Sequence, residues 1–179
     1  MSSEKKKLLL FCAAGFVFVN LLGALSHFFY EWSGDSVVAG IFFPVNESVW
    51  EHLKLVIFPT FVWFALGTIY MRGTPNYVFA CFVCVLSGLL IIPAVYYTYT
   101  SFTGESILPV DIASFTASVF IGFVAVWFIA GARRVRWLGV IGALGIAAVV
   151  AVYLTFTLYP PQANLFRDPM DGTYGFGLR

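Results

Sequence analysis

The chain has 179 residues, of which 60% are apolar and 11% charged, with a mean hydropathy of +0.90 and a net charge of +1. Soluble domains carry roughly 25% charged residues, and a domain of this size still exposes about 30% of its chain surface. The composition therefore excludes an ordinary soluble domain, a disordered chain and a disulfide scaffold, and a charge this small leaves no electrostatic footprint for nucleic acid.

An integral membrane protein of the all-α class follows. A membrane-crossing helix needs about 20 predominantly apolar residues, and five stretches meet that length: about 8–29, 49–71, 77–99, 109–132 and 137–158. The runs are continuous rather than alternating, which argues against a β-barrel. Span one is longer than the 7–15 apolar residues of a signal peptide and lacks a clear cleavage site, so it is read as a retained helix. Lys/Arg bias sets orientation. Lys5, Lys6, Lys7, Arg72, Arg133, Arg134 and Arg136 fall on one side, and Lys54, Arg167 and Arg179 on the other. This places the N-terminus in the cytoplasm and the C-terminal tail outside, in a multi-pass protein of the plasma membrane. The expected organisation is a five-helix domain over 1–159 and an extracytoplasmic tail, 160–179, docked on the bundle.

In span one, Asn20, His27 and Glu31 lie 7 and 4 apart, a polar stripe on one helical face. Polar groups in a bilayer usually face the bundle. Asn20 needs no more than a local hydrogen bond; His27 with Glu31 is the stronger site candidate. Residues 37–45 are apolar but too short to cross, so they lie at the interface or dip back into it. Span two opens with Asn46, Glu47, Ser48, Trp50, Glu51, His52 and Lys54. Ser48-x-x-Glu51 fits a capping box, and carboxylates favour a helix N-terminus. Capping does not explain two glutamates, a histidine and a lysine in so charge-poor a chain. Pro59 and Pro93 interrupt hydrogen bonding in spans two and three. Cys81 and Cys84 sit in apolar sequence, as does Cys12, and read as buried thiols rather than a redox or zinc pair. Asp111 opens span four as a cap or a site group, and span five carries Gly139, Gly142, Gly145, Ala147 and Ala148, small residues that permit close packing, and no chemistry. The tail mixes Phe166 and Tyr174 with Asp168-Pro169 and Asp171-Gly172 turns. It is expected to roof the acidic cluster, with Arg167 pairing to Glu47, Glu51 or Asp111, or Asp168 adding an oxygen ligand.

The Asn46-Glu47-Ser48-x-Trp50-Glu51-His52-x-Lys54 block resembles a family of small multi-pass bacterial membrane proteins of unknown function. So do Ser26-His27-x-x-Tyr30-Glu31 and the tail Leu165-Phe166-x-Asp168-Pro169 with Gly172-x-Tyr174-Gly175. The resemblance implies a bacterial membrane setting and brings no activity.

The candidate ligand-binding residues are His27, Glu31, Asn46, Glu47, Glu51, His52, Lys54, Asp111, Arg167 and Asp168. Histidines with carboxylates bind divalent cations and activate water, which makes His27, Glu47, Glu51 and His52 the candidate metal ligands. The expected function is a polar site at the extracytoplasmic face for a metal ion or a small polar or lipid-like ligand, with catalysis left open because no specific catalytic motif is present. The alternatives are a transporter or cation-channel component and a non-catalytic accessory or sensory subunit. Partners are the lipid bilayer, a small molecule, ion or lipid, and further copies in an oligomer.

Overall fold

The computed structural model describes residues 2–177. It is all-helical, with 75% of residues in helices and no strand. The elements are α1 (Ser3–Ser26), α2 (Phe29–Trp32), α3 (Val37–Phe42), α4 (Val49–His52), α5 (Lys54–Tyr70), α6 (Tyr77–Thr103), α7 (Leu108–Gly131), α8 (Arg136–Leu158) and a 3-10 turn, Asn164–Phe166. Five units are long and apolar enough to cross a membrane: α1, α4 continuing into α5, α6, α7 and α8. Arg179, used in the charge count, lies outside the described residues.

Local chemistry moves the helix ends from the expected positions. Ser2 Oγ accepts from Lys5 N, so α1 starts ahead of its apolar run. The same helix stops at Ser26, where Ser26 Oγ donates to Gly23 O and the chain turns through His27 and Phe28. The expected stripe of Asn20, His27 and Glu31 on one face is thus broken, because the three do not share a helix. Asn20 donates to its own Phe16 carbonyl, as a local hydrogen bond requires. At the other extreme, α6 runs on to Thr103. Thr98, Thr100 and Thr103 donate to carbonyls four residues back, and Gly104 ends the helix at φ +78°.

α6 packs on α7 and α8, and α1 on α5 and α7. Phe11, Phe64, Val119, Phe123 and Val126 fill one half of the bundle, with Cys12, Cys81 and Cys84 buried among them as free thiols. Close approach depends on glycine: a Cβ at Gly142 would lie 2.6 Å from the Phe79 Cα. Small residues allow this contact where lipid offers no hydrophobic drive between helices.

The other half is centred on Trp50. Its ring stacks on Tyr153 of α8 at 4.0 Å and meets Phe166 at 4.7 Å. Phe166 is buried, so the segment after α8 packs against α4. That segment folds on itself: Asp168 N donates to Thr173 O, Arg167 pairs with Tyr174 in an isolated bridge, and Gly172 takes φ +78° in the turn.

Candidate metal centre

The site grows from the entry to α4. Ser48 caps the helix, its Oγ accepting from Glu51 N at 3.3 Å. The expected capping box is only half formed. Ser48 N donates instead to Asn46 Oδ1, and the Glu51 carboxylate accepts from Val45 N. Asn46 Nδ2 reaches across to Gly175 O, 3.0 Å away. Glu47 precedes the cap, and its backbone N–H donates to Asp168 Oδ2 at 2.9 Å. Two residues from the tail segment therefore hold this approach, Asp168 through the Glu47 backbone and Gly175 through the Asn46 side chain.

Glu51 and His52, adjacent on one helix, point about 100° apart. Glu51 turns inward. It is 1% exposed and pairs at 2.6 Å with Lys54, also 1% exposed. Lys54 Nζ donates further to Gly40 O at 2.7 Å and Phe43 O at 3.4 Å, which ties the 37–45 connection to α5. Buried charges require this kind of pairing.

His52 turns outward and meets His27. Its Nδ1 lies 2.9 Å from Ser48 O. A carbonyl only accepts, so Nδ1 carries a proton, and Nε2 is the nitrogen left to face a ligand. That Nε2 is 3.2 Å from His27 Nε2 and 3.4 Å from Glu47 Oε2, and His27 Nε2 is 3.7 Å from Glu47 Oε1. Zinc bonds of about 2.0–2.2 Å in tetrahedral geometry separate neighbouring ligand atoms by roughly 3.3–3.5 Å. The contacts of 3.2 and 3.4 Å around His52 Nε2 match that value, and the third, 3.7 Å, is made by the other Glu47 oxygen; one ligand atom from each residue lies within 4.8 Å of the others. A histidine whose second nitrogen donates to a backbone carbonyl is the usual support for a metal ligand.

Charge is balanced within the cluster. The Glu47 carboxylate, by hydrogen bonding first and by its charge as well, holds His27 above the ordinary histidine range against the opposing effect of burial. In return His27 holds Glu47 below the ordinary carboxylate range. All three side chains are only partly buried, so ions and ligands can reach them.

Of the four expected ligands, the structure brings His27, Glu47 and His52 together and points Glu51 elsewhere. Glu31 lines the cleft beside His27 and Glu47. Asn46 and Lys54 are scaffold. Asp111 accepts from Tyr99 Oη at 2.6 Å, between α6 and α7. Arg167 is not paired with Glu47, Glu51 or Asp111; it lies over Gly172. Both Asp168 oxygens are taken by backbone, from Glu47 N and Met170 N, so Asp168 positions Glu47 and is not placed as an oxygen ligand. Sequence reasoning missed the Ser48 carbonyl, whose role shows only once His52 is known to lie one turn on.

These features define an all-helical protein with five helices able to cross a membrane and a His/Glu cluster where two of them end. The chain belongs to the DUF6512 family, a family of unknown function, whose model matches residues 1–176. No curated protein matches the chain, and no solved structure does.

Proposed function

We propose that this protein binds a divalent metal ion, of the zinc type, through His27 Nε2, His52 Nε2 and Glu47 at one face of the membrane. Two imidazoles and one carboxylate suit Zn²⁺. A three-ligand set of this composition leaves a fourth position for water or a ligand, the arrangement of catalytic rather than structural zinc. The ion there would polarise a ligand oxygen or lower the pKa of bound water. The observation that carries the reading is that one ligand atom from each of the three residues lies within 4.8 Å of the others, together with the proton that Ser48 O holds on His52 Nδ1.

An ion route through one protomer is less well supported. Phe11, Phe64, Phe123 and Val126 pack the opposite half of the bundle with apolar side chains. The membrane is taken as the plasma membrane with the site on the extracytoplasmic side, on the strength of the Lys/Arg bias.

The test is metal content and Zn²⁺ titration of the detergent-purified chain. One equivalent is expected. His27→Ala, His52→Ala and Glu47→Gln should each lose binding while the protein still elutes as a folded species. Wild-type affinity in all three variants would overturn the reading.

A further inference from the structure

A cleft of about 200 Å³ opens at two of the three ligands, His27 and Glu47, and its lining also includes Phe28, Tyr30 and Glu31. Its lining joins two of the ligands to a further carboxylate. A divalent ion held by one carboxylate and two neutral imidazoles would keep a net positive charge at the ligands. The same lining carries Glu31, an exposed carboxylate with no cation paired to it among the described residues. Phe28 and Tyr30 belong to the same lining, and aromatic faces attract cations.

The rim is apolar and open. Phe28, Trp32, Val37, Val38 and Phe42 are exposed, Trp32 and Val38 to 64% and 67%. Phe28 and Trp32 stack at 5.8 Å. These residues sit on the connection that leaves α1 at Ser26 and re-enters the membrane-spanning unit at Val49. That is the depth at which amphipathic rings anchor proteins in the interfacial layer. The cleft therefore lies in a connection whose exposed apolar side chains suit the lipid interface, with His27, Glu47 and Glu31 in its lining.

Resting on the metal reading, we infer that the ligand of this site is a zwitterionic phospholipid head group of the ethanolamine type. One phosphate oxygen takes the open metal position. The ammonium group lies at Glu31 against the Phe28 and Tyr30 rings, and the acyl chains stay in the bilayer beside Phe28, Trp32 and Phe42. Glu47 and Glu31 repel a phosphate without the metal, so lipid binding requires the ion. A free phosphate brings neither the ammonium group nor the chains. An anionic head group such as phosphatidylglycerol brings the phosphate but nothing to meet Glu31.

The experiment uses the whole chain in dodecyl maltoside loaded with Co²⁺, whose visible absorption responds to its fourth ligand. Co²⁺ binding is measured first without lipid, and its failure would overturn the metal reading and this inference with it. With Co²⁺ bound, dioleoyl phosphatidylethanolamine should change the spectrum at about tenfold lower concentration than phosphatidylglycerol, water-soluble phosphoethanolamine or inorganic phosphate. Glu31→Gln should abolish the preference for ethanolamine lipid over phosphatidylglycerol. The double variant Phe28→Ser, Trp32→Ser should weaken the lipid response about tenfold. Glu31→Gln should leave Co²⁺ affinity unchanged, since Glu31 is not a ligand; the double variant is compared at Co²⁺ saturation, because the Phe28 ring packs on His27. An equal response to phosphoethanolamine and the intact lipid would show a water-borne ligand and overturn the proposal. So would an unchanged preference in Glu31→Gln, or no response to any lipid while Co²⁺ stays bound.

Discussion

Replacing Lys54 with methionine separates scaffold from site. The substitution keeps the side-chain volume and removes a charge that is 1% exposed. Its Nζ is donated to Glu51 Oε2 at 2.6 Å, Gly40 O at 2.7 Å and Phe43 O at 3.4 Å. Without it the Glu51 carboxylate is left with Val45 N as its one remaining donor, since its Oε1 is buried without a partner. Two carbonyls of the 37–45 connection lose their donor as well. Removing one member of a buried pair costs about 3–5 kcal/mol. Lys54→Met should lose that much in reversible unfolding, followed by the fluorescence of Trp50, which stacks on Tyr153 beside the pair. Adding Glu51→Gln removes the stranded charge, so the double variant should be more stable than Lys54→Met alone. Glu51→Gln by itself should leave Zn²⁺ affinity within about threefold of wild type, a change below roughly 1 kcal/mol. The reasoning is refuted if Lys54→Met unfolds within about 1 kcal/mol of wild type, if the double variant is worse than the single, or if Glu51→Gln abolishes metal binding.

Three other outcomes follow from the same geometry. Asp168→Ala frees the Glu47 backbone and should weaken Zn²⁺ binding about 10–100-fold, whereas Arg167→Ala should leave it unchanged in the same calorimetric titration. In the metal-free protein, Glu47, held low, contributes stability above its unfolded pKa near 4.5 that is lost as pH falls through its lower folded value. His27, held high, contributes stability below 6.5 that is lost as pH rises through its raised folded value. The pair therefore stabilises most between 4.5 and 6.5, and a pH series of unfolding should show His27→Ala losing least at alkaline pH. Zn²⁺ affinity runs the other way, rising with pH as the proton leaves His27, which a pH series of titrations should show. For orientation, single cysteines at positions 3 and 170, in a chain lacking Cys12, Cys81 and Cys84, should react with an impermeant reagent from opposite sides, position 170 from outside. Reaction of both from one side would overturn the proposed topology.

The five units able to cross a membrane were legible because the bilayer imposes one crude rule, a long run without charge, and composition alone satisfies it. Their ends were less legible where no proline or glycine marks them. Nothing between Leu25 and Glu31 reads as a stop, yet α1 ends at Ser26 and α2 starts at Phe29. That break removes His27 from any helical periodicity, so its relation to Glu31 could not be taken from spacing. The 25 residues separating His27 from His52, and the 121 separating Glu47 from Asp168, are set by how spans pair and how the tail returns. Asp168-Pro169 signals a turn, not what the carboxylate will accept.

One choice was within reach of the sequence. Glu47 and Glu51 share a face at i, i+4 only if both are helical. Taking Ser48 as the cap, as its capping-box pattern with Glu51 invites, puts Glu47 outside the helix and cancels that rule. The two carboxylates are then free to part. Glu51 follows the helix inward to Lys54, and Glu47 follows the extended approach outward to the histidines. His52 comes one turn after the cap, which is why its ring nitrogen meets Ser48 O and why its other nitrogen faces away from the helix. The ligand set thus comes from residues just outside a helix end and in its first turn. At such positions backbone groups still lack helical partners and accept side chains, and the cap decides which way each neighbour points.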